Sequence, residues 1–151
     1  MIIYYQLKFM MKPVIVILII LGGPSFFVLL WSGIIYMISY ASGWQKLAES
    51  YSTTYMPTQT RSCSCLFRKS ISYNGVVQYE STQKGLYLKT IKLFSIGHKP
   101  LLIPWEAIAN YESGNLFASY KSRLVFYKFQ IKVKGISIYI NKDIRKIQTH
   151  E

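Results

Sequence analysis

The sequence predicts an N-terminal transmembrane α-helix followed by a small, mainly-β antiparallel barrel or sandwich with a short C-terminal helix. Three observations carry this expectation. The twenty-six residues from Val14 to Ser39 contain no charge. Beyond Cys63, apolar and polar residues alternate with the period of a strand. Turn residues recur at short intervals between those runs, the spacing of a strand-rich fold.

The apolar stretch VIVILIILGGPSFFVLLWSGIIYMIS would measure about 39 Å as a helix, against a hydrocarbon core of about 30 Å. Gly22-Gly23-Pro24 interrupts it, but each half is too short to cross alone, so a single pass bent at Pro24 is expected rather than a hairpin. Gly22, Ser25, Ser32, Gly33 and Ser39 share one side of that helix, a stripe suited to a second helix or a second copy of the chain. The rival is a cleaved signal ending at Ser39-Tyr40-Ala41, which the length of the apolar run opposes. Residues 1–13 form a tail, in which Met11 is an alternative start. Lys8 and Lys12 before the span outnumber Lys46 after it, which favours a cytoplasmic N-terminus and an exported domain, with the cytoplasmic side as the alternative.

Trp44, Leu47, Ala48 and Tyr51 fall at i, i+3, i+4 and i+7, so residues 42–51 read as a juxtamembrane amphipathic helix with Ser42 as its cap. Its apolar side suits either lipid or the domain. Trp44 stands where an aromatic belt residue anchors a protein at the membrane boundary. Residues 52–62 lack periodicity and read as a loop, and 63–151 form the β-rich domain. Its best hairpin signal is Tyr73-Asn74-Gly75-Val76, expected to join strands 64–73 and 76–82. A strand opens after Gly85 and loses phase before Ile91, which predicts a bulge or a new strand there, and is followed by Leu101–Ile103 and one helical turn at Trp105. The clearest alternation runs from Val125 to Val133, breaks at Gly135 and resumes at Ile136, Ile138 and Ile140. Asp143 to Gln148 is the expected terminal helix.

Two segments, SGWQKLAESY at 42–51 and GLYLKTIKLFSIGHKPLLIPWEAI at 85–108, resemble a family of short bacterial single-pass membrane proteins of unassigned function. Gly85, His98, Pro100, Pro104 and Trp105 carry that likeness. The Ile-Pro-Trp-Glu-Ala-Ile stretch also resembles bacterial pleckstrin-homology-like domains, which implies a bent, seven-stranded antiparallel fold closed by a C-terminal helix. The family implies no activity.

Chemistry is sparse. The six acids, Glu49, Glu80, Glu106, Glu112, Asp143 and Glu151, form no close pair for two-carboxylate catalysis, and neither a G-x-S-x-G elbow nor a phosphate-binding glycine loop occurs. Cys63 and Cys65 are a possible soft-metal or redox pair without a third ligand nearby, and His98 and His150 belong to no metal-spaced cluster. No catalytic residue, cofactor or metal is expected. Net charge is +12, and the stretch after Gly43 carries sixteen cations against six acids. Such a field favours anionic partners. Lys121, Arg123, Lys128, Lys132 and Lys134 form the candidate stripe for anionic lipid. The expected function is a non-enzymatic membrane-surface protein, its partners being membrane lipid, another protein, or a second copy through the helix. Alternatives are a membrane-anchored enzyme with a pocket around His98 and Trp105, and a nucleic-acid-binding module, which the membrane tether disfavours.

Overall fold

The computed structural model describes the backbone of residues 2–120 and 123–142, with the side chains of 12–13, 15–17, 19–109 and 130–142. The expected helix at Asp143–Gln148 lies outside the described residues. The chain divides into two units, Met1–Ile34 and Ile35–Glu151.

A single helix, α1 (Ile2–Ser42), runs through both Pro13 and Pro24, so the hairpin alternative is not formed. Within it, Ile15–Ser42, whose eighteen-residue apolar window has a mean hydropathy of 2.3, is the one helix among the described residues long and apolar enough to cross a membrane. Ser25 and Ser32 each donate to the carbonyl four residues back, at 2.8 and 2.6 Å. Their hydroxyls are thus satisfied within the helix, as a lipid environment requires.

In the second unit, seven strands form one antiparallel sheet: β1 (Arg61–Phe67), β2 (Ile71–Thr82), β3 (Gly85–Thr90), β4 (Leu101–Pro104), β5 (Asn110–Tyr120), β6 (Arg123–Val133) and β7 (Ile136–Ile140). Their order is β4-β3-β2-β1-β7-β6-β5, so β4 and β5 are the edges of a curled half-barrel. The curl follows from what the sheet encloses. Cys65 and Phe67 of β1, Tyr73, Val77 and Tyr79 of β2, Leu86 and Leu88 of β3, Leu101 and Ile103 of β4, Ile131 and Val133 of β6, and Ile136, Ile138 and Ile140 of β7 share one buried cluster. At its centre lie Trp44, Leu47 and Ala48 of α2 (Trp44–Tyr51). A flat sheet could not bring strands from β4 to β6 around one short helix. The apolar side of α2 therefore packs on the domain.

Two local expectations are corrected. Asn74-Gly75 is not a hairpin turn but lies inside β2, in a bulge where the register slips between the pairs Cys63↔Val77 and Cys65↔Tyr73. The chain turns instead at Arg68-Lys69, both with φ above 50°, closed by the Ser70 amide donating to the Phe67 carbonyl at 3.0 Å. This register sends Tyr73 into the core, and core burial outweighs the local turn preference. The phase slip before Ile91 marks the end of β3, followed by a 3₁₀ turn at Lys92–Phe94 rather than by a bulge or a new strand.

Candidate functional site

Among the described residues, a group of hydrogen-bonded polar and aromatic side chains surrounds the last turn of α1. Gly43, at φ +83°, ends α1 and starts α2 in a left-handed conformation that favours glycine, and a Cβ there would also press on the side-chain ends of Ile136 and Arg68. The carbonyls left unpaired at a helix C-terminus need donors. Arg68 Nη1 supplies one to Ala41 O at 3.3 Å, and its charge suits the negative end of the helix dipole. Ser42 Oγ donates to Ser39 O at 3.0 Å, while Ser39 Oγ donates across to Gly97 O.

A hydrogen-bonded chain leads from there into the domain. Ser42 Oγ lies 2.9 Å from the Tyr73 hydroxyl, which lies 2.8 Å from His98 Nε2. His98 Nδ1 is 2.9 Å from Ile96 O. A carbonyl can only accept, so Nδ1 carries a proton and in the neutral ring Nε2 is an acceptor; the single Tyr73 proton is therefore shared between His98 Nε2 and Ser42 Oγ. Burial pushes the Tyr73 phenol up to about 12, with nearby Cys65 adding to the rise and the Ser42 hydrogen bond opposing it. The phenol thus stays a donor. His98, itself buried, is held below its ordinary imidazole value by desolvation, against an upward pull from the Ile96 carbonyl.

The sign of the resulting pH dependence follows from that shift. A histidine whose folded pKa lies below its unfolded value near 6.5 contributes stability that is present above that pH and is lost as pH falls through the folded value. Thermal unfolding of the full chain in detergent should therefore weaken as pH is lowered below about 6.5, and His98→Gln, which cannot titrate, should flatten that slope. Parallel slopes would contradict the assignment.

Trp44 is corrected from boundary anchor to core residue. It is fully buried, its Nε1 donates to Lys99 O at 2.8 Å, and its ring lies 5.4 Å from Phe67, 6.0 Å from Tyr73 and 5.1 Å from His98. The three rings take its apolar body and the Lys99 carbonyl takes its N–H, the two roles that the membrane boundary would otherwise fill.

The remaining motif residues lock the β3–β4 hairpin. Gly85 pairs with Pro104, Thr82 Oγ1 receives the Gly85 amide at 3.2 Å, and Trp105 Nε1 donates to Thr82 O at 2.9 Å. Pro100 O accepts from the Thr53 amide at 3.0 Å. His98 and Trp105 thus serve different contacts, and both ring nitrogens of His98 are engaged.

Of the basic stripe, Lys121 and the side chains of Arg123 and Lys128 lie outside the described residues. Lys132 is exposed on β6. Lys134 sits past the strand end at φ 49°, bonded to Ser50 Oγ and 5.7 Å from the Tyr51 ring, so it contacts α2 rather than extending the strand face. Cys63 and Cys65 are buried with their sulfurs 3.4 Å apart, and that contact together with burial raises the Cys65 thiol well above its usual value. Among the described residues no three His, Cys, Asp or Glu side chains are grouped to hold a metal.

A shallow groove of about 350 Å³ opens beside the junction, lined by Tyr36, Gln45, Ala48, Glu49, Gly97 and Lys99. Sequence reasoning missed Ser39, Arg68 and Tyr73 as junction residues. Their partners lie 27 to 58 residues away, and no local pattern encodes such pairings.

No family model, curated protein or solved structure matches this chain.

Proposed function

We propose that the chain is a non-enzymatic membrane protein whose β domain is held at the bilayer surface and makes contacts there with anionic lipid. The observation that carries this reading is the burial of Ser39, Ser42 and Trp44 within the domain. The last turn of the apolar helix, at Ser39 and Ser42, is buried in the fold that follows it, so the residues that leave the apolar stretch are already part of the domain. Cations gather at that end: Arg68 on the Ala41 carbonyl, and the exposed Lys69, Lys92 and Lys99. Near an anionic surface each adds about 1 kcal/mol of attraction. The strand order and the single helical turn after Pro104 support a pleckstrin-homology-like description of the domain, and the two motif segments support kinship with the short bacterial membrane proteins they resemble.

The test uses the full chain. It should stay with vesicles in carbonate, and in micelles doped with phosphatidylglycerol its melting temperature should exceed that in zwitterionic micelles by several degrees, less at high salt. Release by carbonate would overturn the anchor. Equal melting temperatures would overturn the lipid contact.

A further inference from the structure

We propose that the loop between β3 and β4, Ile91–Lys99, is a second membrane contact, with Leu93 and Ile96 entering the bilayer interface and Lys92 and Lys99 reaching lipid phosphates. This rests on the membrane-anchored reading above, which counts the charges of Lys92 and Lys99 but inserts no apolar side chain of the loop into lipid.

The position of the loop follows from its contacts, read backwards along the chain. The Lys99 carbonyl is bound by Trp44, just after the end of α1. His98 reaches Ser42 through Tyr73. Gly97 accepts from Ser39, and a Cβ on it would lie 3.1 Å from Ser39 and 3.2 Å from the Tyr36 ring. Each step from Lys99 to Gly97 moves back along the helix into the apolar stretch that ends at Ser42. From Ser42 to Tyr36 that is about 9 Å of helix. Ile96 is the next residue in the series.

The loop is also built to hold its shape. The Phe94 amide donates to Ile91 O at 2.9 Å, Ser95 Oγ to Lys92 O at 2.8 Å, Thr90 Oγ1 to Phe94 O at 3.0 Å, and the His98 amide to Ser95 O at 2.9 Å. Leu93 is nevertheless 62% exposed and Ile96 40%. A single exposed leucine on a soluble surface needs no explanation. Two large apolar residues within four positions, on a rigid loop laid along a membrane-spanning helix, have an obvious solvent in lipid. The loop holds two lysines and no acid, and the helix beside it exposes Tyr36 and Tyr40, residues that favour the headgroup level. Glu49, in the groove shared with Lys99 and Tyr36, is the neighbouring acid.

The experiment places a polarity-sensitive fluorophore on Ile96→Cys in the full chain, with Asn74→Cys as an exposed control on β2. The unsubstituted chain, whose two cysteines are buried, sets the background. Each protein is incorporated into nanodiscs of phosphatidylcholine with a minority of phosphatidylglycerol, which leaves both faces open to water. The label at 96 should lose most of its emission to nitroxide on lipid acyl chains and little to aqueous iodide, the label at 74 the reverse. A label at 96 that behaves like the one at 74, in protein that co-elutes with the discs, overturns the loop contact and leaves the anchor standing. Shielding from iodide without nitroxide quenching means that protein covers the loop, and overturns it equally. Failure to enter the discs overturns both readings.

Discussion

Gly85→Ala is expected to destabilise the domain by about 3 kcal/mol or more, because the added methyl has no room and no neighbour able to yield. Gly85 has φ +153°, and its Cβ would stand 2.1 Å from the Ile103 carbonyl oxygen, 2.7 Å from the Ile103 carbonyl carbon and 2.9 Å from Pro104 Cα. All three are backbone atoms of β4, the strand that pairs with β3 at this point. Relief requires β3 and β4 to separate. That would disturb Leu101 and Ile103 in the core and the contacts that Trp105 and Gly85 make with Thr82. Gly75→Ala is the control: its φ is also positive, at +71°, but nothing lies within 4 Å of the new Cβ. It should cost only left-handed strain, about 1 kcal/mol. Thermal unfolding of the full chain in detergent should show a drop of roughly 10 °C for the first and a few degrees for the second. Equal, small shifts would mean that β4 does not sit where Gly85 needs it.

The same residue marks how far the sequence could be read. Gly85 stood out as part of a motif, but its reason, a close approach by a strand sixteen residues on, has no local signature. Alternation was legible from Ile131 to Ile138 because Ile131, Val133, Ile136 and Ile138 are buried while Lys132 and Lys134 are exposed and Ser137 is partly so. It failed in β1, where Cys65, Leu66 and Phe67 are all buried and the period disappears. Asn74-Gly75 misled because turn preference is worth little beside the core position of Tyr73. The amphipathic pattern of α2 correctly located a helix but could not say what its apolar side would meet, since lipid and a protein core ask for the same residues. Likewise, the charge-free run from Val14 to Ser39 showed where an apolar helix lies and gave no sign that its end is built into the sheet.

Trp44 decides that last point experimentally. As a boundary anchor it would affect partitioning and leave the fold untouched; as the centre of the core it should be among the costliest positions to truncate. Trp44→Ala removes a fully buried indole from between Phe67, Tyr73 and His98, a loss of about 3–5 kcal/mol. Trp44→Phe keeps most of the ring but strips the Lys99 carbonyl of its donor, at about 1–3 kcal/mol. Detergent-solubilised full chain should therefore rank wild type above Trp44→Phe above Trp44→Ala in thermal unfolding, even with no bilayer present. A belt residue predicts three equal melting temperatures in that experiment. The intermediate position of Trp44→Phe separates packing from hydrogen bonding, because only a core tryptophan joined to the loop through its N–H gives two distinct steps.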